Sequence, residues 1–167
     1  MSRDLGEIYD AHAPAVFAFL LNLTRDEPEA RDILQDVFVK VAARPALLDG
    51  VAEVRSWLFR TGHRQAMDAS RRRATQGRAV ERAAQSVDLF APAHDPDADA
   101  FRAAVAKAMG ELPEEQRAVV HLKIWEDLTL AEIADILGIP ANTAASRYRY
   151  GIDKLEGLLR PLHDERS

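Results

Sequence analysis

The residues of this chain that could do chemistry fall into three groups. The first lies between Thr129 and Leu159. Thr129-Leu130-Ala131-Glu132 has the composition of a capping box, in which the threonine hydroxyl satisfies one free helix amide and the glutamate reaches back to another. Ile133, Ala134, Ile136 and Leu137 continue that helix, Gly138 ends it, Gly138-Ile139-Pro140-Ala141 makes a tight turn, and Asn142 caps a longer helix. A short helix, a glycine-containing turn and a longer helix together make the helix-turn-helix pattern. Along the second helix Ala144, Tyr148, Ile152, Leu155 and Leu159 fall within an arc of roughly 80° and form the buried stripe. Asn142, Ser146, Arg149, Tyr150 and Asp153 point the other way, flanked by Arg147 and Lys154. Amide, hydroxyl, guanidinium and phenol groups on one exposed face can read base edges and hold phosphates. Ser146, Arg149 and Tyr150 would read, while Asn142, Thr143 and Arg147 would position the helix. The plainer alternative is the solvated face of an ordinary helical bundle.

The second group is Arg55, Arg60, His63, Arg64, Arg71, Arg72 and Arg73 on one helix, interleaved with Trp57 and Phe59. Guanidinium groups neutralise phosphates, and aromatic faces stack on unpaired bases. Spacing places Trp57 in the core rather than on a stacking surface, and an arginine run is also how a helix end stays solvated. The third group is Asp32, Gln35 and Asp36 on the outer face of another helix. Paired carboxylates raise acid–base or metal chemistry, but no glycine-rich loop, histidine or further acid lies nearby. A protein-docking face is the better reading, with simple solvation as the alternative.

These groups need elements to hold them, and the periodicity is helical nearly everywhere, with no stretch alternating long enough for a strand. The expected class is all-α. Leu5, Ile8, Tyr9, His12, Val16, Phe19, Leu20 and Leu23 give a first apolar stripe, which Pro14 kinks or divides. Asp26 caps a second helix with Pro28 and Glu29 in its first turn, and its inner face is Ala30, Ile33, Leu34, Val37, Phe38 and Val41. Arg44 to Gly50 reads as a loop. A third helix starts near Glu53 with Val54, Trp57, Leu58 and Met67 inward. From Thr75 to Ala100 apolar residues thin out, and 91–97 cannot bury enough to order itself, which makes a linker. Beyond it Phe101, Val105 and Met109 share a face, Leu112-Pro113-Glu114-Glu115 starts a helix, and Val119, Val120, Ile124 and Trp125 are core candidates.

Length and charge bound the function. A chain of 167 residues is one medium domain or two small ones. It has no cysteine, which excludes disulfides and thiolate sites, and its five histidines form no metal pair at helical spacing. Neither a membrane span nor a secretory leader is expected. The net charge of −5 conceals segregation, since 55–82 carry 8 basic and 2 acidic side chains between two acidic stretches. Such a pattern suits limited contact with nucleic acid plus a second, protein partner.

In order and spacing, Tyr9 to Leu23, Ala30-Arg31-Asp32-Ile33-Leu34-Gln35-Asp36-Val37-Phe38, Trp57-Leu58-Phe59-Arg60 to Arg73, and Leu112-Pro113-Glu114-Glu115-Gln116-Arg117 to Leu155 carry a resemblance over nearly the whole chain. The chain resembles the extracytoplasmic-function (ECF, group 4) sigma factors of the sigma-70 family of bacterial RNA polymerase. That resemblance implies a sigma-2-like bundle over 1–74, a flexible linker over 75–100 and a sigma-4-like helix-turn-helix domain over 101–167. It implies that Asp32, Gln35 and Asp36 face the clamp helices of core polymerase. The arginine-rich helix and the preceding loop would melt and read the minus-ten promoter element, and the recognition helix would read the minus-thirty-five element. It implies a cytoplasmic protein with no catalytic group, cofactor, metal or small-molecule substrate, and an anti-sigma factor as a further partner. Ala145 and Tyr150 stand where the family often has basic residues, and Arg64 where asparagine is frequent. A LuxR-like regulator acting without polymerase is the alternative, and it should begin with a ligand-binding or receiver domain.

Overall fold

The computed structural model describes residues 3–76 and 95–165. Among these there are seven α-helices and one short 3-10 turn with no strand, and the all-α expectation holds. The chain divides into two compact units, 1–82 and 83–167. Most of the stretch read as linker, 77–94, lies outside the described residues.

The first unit contains α1 (Leu5–Thr24), α2 (Glu27–Ala43), the 3-10 turn (Pro45–Leu48) and α3 (Val54–Thr75). Asp4 opens α1, its carboxylate accepting from the Gly6 amide at 2.8 Å. The helix runs undivided through Pro14. It stops at Arg25, which adopts the left-handed conformation (φ 57°) and donates its amide to the Leu21 carbonyl. Asp26 then caps α2 as expected, accepting from the Glu29 amide. The segment 44–50 is not a plain loop, because Pro45 sits at the first position of the 3-10 turn with φ suited to it.

The core of this unit joins α1 to α3. Val16, Phe19, Leu20, Leu58 and Phe59 are fully buried, and the Phe19 and Phe59 rings meet edge-on at 5.4 Å. A Cβ on Gly62 would come within 3.3 Å of the Leu20 side chain. The close approach of α1 is therefore centred at Gly62, and Phe59 and Ala66, one turn to either side, share its burial. Consequently Phe59 is core, not a stacking platform, and Trp57, read as core, is only half-buried.

The second unit contains α4 (Pro96–Glu111), α5 (Glu114–Ile124), α6 (Leu130–Leu137) and α7 (Ala141–Glu165). Asp95 and Pro96 order the start of α4, with the Asp95 carboxylate accepting from the Asp97 amide at 3.0 Å, inside the stretch read as unable to order. Met109, Leu112, Val120 and Leu155 form a core cluster, with Val105, Trp125, Tyr148, Ile152 and Leu159 packed against it. One core candidate, Ile124, is not buried. It is 49% exposed at the very end of α5, and Phe101 is 46% exposed, N-terminal to the buried residues Ala106, Ala108 and Met109 of α4. The buried guanidinium of Arg117 donates to the carbonyls of Met109 and Leu112, both at 2.9 Å, and so ties the end of α4 to α5.

Candidate nucleic-acid and docking faces

The helix-turn-helix element rests on local chemistry. Thr129 accepts from the Glu132 amide, and Glu132 accepts from the Thr129 amide, both at 3.1 Å, so the capping box is complete. Gly138 closes α6 at φ 68°, a conformation glycine adopts without a Cβ clash, and the Ile139 amide returns to the Ala134 carbonyl at 3.0 Å. Helix α7 begins at Ala141, and the Ala144 amide donates to the Pro140 carbonyl at 3.0 Å. Asn142 is therefore inside the first turn rather than capping it, because proline already ends the turn with φ set for helix entry. Its side chain accepts from the Thr143 amide at 2.9 Å.

Packing sets which side of α7 faces out. Ala144, Gly151 and Leu155 are buried, and a Cβ on Gly151 would lie 2.6 Å from Val120 Cγ2 on α5. The sequence reading missed this glycine, although a lone glycine on the buried stripe of a helix is the signal of a close approach. Asn142, Arg149, Tyr150 and Asp153 are exposed, while Thr143, Ser146 and Arg147 are half-buried. The Arg149 guanidinium lies over the Tyr150 ring, 5.1 Å from its centroid, and Tyr150 is 57% exposed.

Helix α3 does not present its seven basic residues together. At roughly 100° per residue, Arg60, Arg64 and Arg71 fall within roughly 40° of one another on the outer side. Arg55 and Arg73 share the azimuth of buried Ala66 to within roughly 20°, and His63 and Arg72 flank the stripe. Arg55 lies over the Phe59 ring at 5.8 Å, Arg73 turns back to pair with Glu29 on α2, and Arg71 pairs with Asp68. His63 stands against Phe19 with ring centroids 6.4 Å apart. Burial raises the pKa of Glu29 although the Arg73 guanidinium opposes it.

On α2 the apolar face is complete: Ala30, Ile33, Leu34, Val37, Phe38 and Val41 are buried, and Asp32, Gln35 and Asp36 are exposed opposite them. Val39, 58% exposed, stands between Gln35 and Asp36 on the same outer stripe. Sequence reasoning passed over it, although a valine out of phase with a complete buried face is visible from periodicity. The second unit also buries His121, 1% exposed, with its ring stacked on Trp125 at 5.2 Å, and burial pushes its pKa down to about 3. No group of His, Asp or Glu among the described residues is arranged to hold a metal ion. No described helix is long and apolar enough to cross a membrane.

Residues 8–76 match the family model of Sigma-70 region 2, and residues 102–155 match that of Sigma-70, region 4. The chain is 31% identical over 157 residues to the ECF RNA polymerase sigma factor RpoE of Cereibacter sphaeroides, covering 89% of this chain and 82% of that one. It is 29% identical over 161 residues to the ECF RNA polymerase sigma factor SigL of Mycobacterium tuberculosis, covering 93% and 88%. In fold it is similar to the sigma factor RpoE of Bartonella quintana, solved in complex with the anti-sigma factor NepR, with a TM-score of 0.75, 21% identity and coverage of 93% and 96%. It is likewise similar to CnrH, solved in complex with the cytosolic domain of CnrY, with a TM-score of 0.65, 24% identity and coverage of 94% and 88%. A first unit that matches region 2 is not the ligand-binding or receiver domain that a LuxR-like regulator would carry. With region 2 on the helices that bear the arginine and acidic faces, and region 4 on the helix-turn-helix, the chain belongs to the ECF sigma factors of RNA polymerase.

Proposed function

We propose that this sigma factor directs core RNA polymerase to promoters with two recognised elements, each unit of the chain meeting one of them. The observation that carries this reading is the outward chemistry of α7. Ala144, Gly151 and Leu155 are buried and Tyr148, Ile152 and Leu159 half-buried against the core, which leaves Asn142, Arg149 and Tyr150, with half-buried Ser146 beside them, on the accessible side of a helix whose entry is fixed by the Gly138 turn. That helix enters the major groove of the minus-thirty-five element, Arg149 and Ser146 toward base edges and Thr143 and Arg147 toward phosphates. In the first unit Arg60, Arg64, Arg71 and Arg72 hold the minus-ten strand, and Arg55, His63 and Arg73 support the helix beneath them. The stripe of Asp32, Gln35, Asp36 and Val39 docks on the clamp helices of the polymerase, its acids meeting basic residues and its valine giving an apolar centre. Bond-making chemistry stays with the polymerase, and the chain works in the cytoplasm where core enzyme and promoter DNA meet. The RpoE of similar fold was solved with the anti-sigma factor NepR, and an anti-sigma factor is expected to hold this chain inactive too. Run-off transcription with core enzyme on genomic templates tests the reading. Discrete start sites that require the chain are expected, and their absence overturns it.

A further inference from the structure

We infer that Tyr150 is a positioning residue for promoter recognition: its ring holds the Arg149 guanidinium in the orientation from which Arg149 reads a base. The inference rests on the reading of α7 as the DNA-facing helix. The Arg149 guanidinium carbon stands 5.1 Å from the centre of the Tyr150 ring, and both side chains are exposed on that face. Asp153, one turn further along α7 and also exposed, offers a carboxylate at the spacing of a helical ion pair, yet the guanidinium lies over the ring instead. An ion pair with Asp153 would occupy the N–H donors that a base must receive. Stacking on a ring uses the face of the guanidinium and leaves its edge, with all its donors, open. A guanidinium restrained over a ring in this way keeps its donor fork available for a bidentate contact to O6 and N7 of guanine. The ring is a suitable support because tyrosine has few rotatable bonds and loses little freedom when held. Less of the arginine's rotamer freedom then remains to be lost on binding, which is how preorganisation raises affinity for the correct base.

Selection from a library randomised in the upstream element, using the full chain with core polymerase, tests this with Arg149→Ala, Tyr150→Ala, Tyr150→Phe and the double alanine variant. Arg149→Ala is expected to lose about five- to a hundredfold preference at one base position. Tyr150→Ala should weaken preference at that same position by about two- to fivefold. Tyr150→Phe keeps the ring and should select like the wild type, and the double variant should select no worse than Arg149→Ala. Thermal unfolding of all four should match the wild type, because both side chains are exposed. A Tyr150→Ala effect at a different base position, or one that adds fully to that of Arg149→Ala, overturns the inference by making Tyr150 a reader in its own right. So does a Tyr150→Phe variant that behaves like Tyr150→Ala, which would assign the effect to the hydroxyl. Wild-type selection by Arg149→Ala overturns the DNA-facing reading of α7 as well.

Discussion

Arg72 and Arg73 are neighbours in sequence and opposites in role. Arg73 pairs with Glu29, and the two side chains are 28% and 15% exposed, whereas Arg72, flanking the buried stripe, is exposed. Arg73→Ala removes the cation beside a half-buried carboxylate, so the first unit should lose about 1–3 kcal/mol, between the values for exposed and for buried pairs. Arg72→Ala should leave stability unchanged and lower the salt slope of DNA binding by about one. Thermal melts and salt titrations of both variants check the contrast, and equal melting temperatures would contradict it. His121 makes a separate expectation. Its folded-state pKa of about 3 lies below its ordinary 6.5, so the unfolded chain binds a proton between those values that the folded unit refuses. Its contribution to stability is thus complete above pH 6.5 and falls as the pH drops toward 3, by at most about 1.4 kcal/mol per pH unit. Trp125 stacks on this ring, so its emission in a Trp57→Phe background reports acid unfolding of the second unit. The slope of stability against pH in that window should be shallower in His121→Gln than in the wild type.

Helix α7 carries two interior glycines in different surroundings, and substituting them separates packing from propensity. A Cβ at Gly151 would meet Val120 Cγ2 at 2.6 Å with Gln116 Cβ at 3.5 Å behind it, while nothing lies within 4 Å of one at Gly157. Alanine is the better helix former by about 1 kcal/mol. Gly157→Ala should therefore stabilise the second unit by up to about 1 kcal/mol. At Gly151 the gain is outweighed by overpacking of a fixed helix crossing, which typically costs about 1–3 kcal/mol, and the net effect should be destabilising. Urea denaturation of the two variants should shift the midpoint in opposite directions. Gly151→Ala should also weaken binding to the upstream element, because separating α7 from α5 moves the recognition face. The element's start is less sensitive to such packing, since the Thr129–Glu132 box and the Gly138 turn close entirely within α6 and its flanks.

Across the whole molecule, function requires faces that leave the two cores and stay uncovered. The α2 stripe combines exposed acids with an exposed valine, and reversing its charge should act on assembly rather than on folding. Asp32→Lys with Asp36→Lys should weaken binding to core polymerase about tenfold or more, since like charges placed across an interface cost several kcal/mol. Helical content should be unchanged, and wild-type affinity in the double variant would remove the docking assignment. Val39→Ser should cost about 1 kcal/mol of the same binding through lost apolar burial. Much of the chain's organisation is legible in the sequence. Asp26, the Thr129–Glu132 box and Gly138 act on groups a few residues away, so their residue types alone determined where helices begin and end. The apolar period likewise determined that the chain is helical and that Asp32, Gln35 and Asp36 face away from a core. Three-dimensional packing decided the rest. Phe59 rather than Trp57 is core because α1 approaches at Gly62, Arg73 is withdrawn by a carboxylate 44 residues earlier, and α7 is set by Gly151 against Val120. Each of these depends on the azimuth at which a distant helix arrives. Local periodicity records that a face is buried, but the neighbouring helix determines where along that face the closest contact falls.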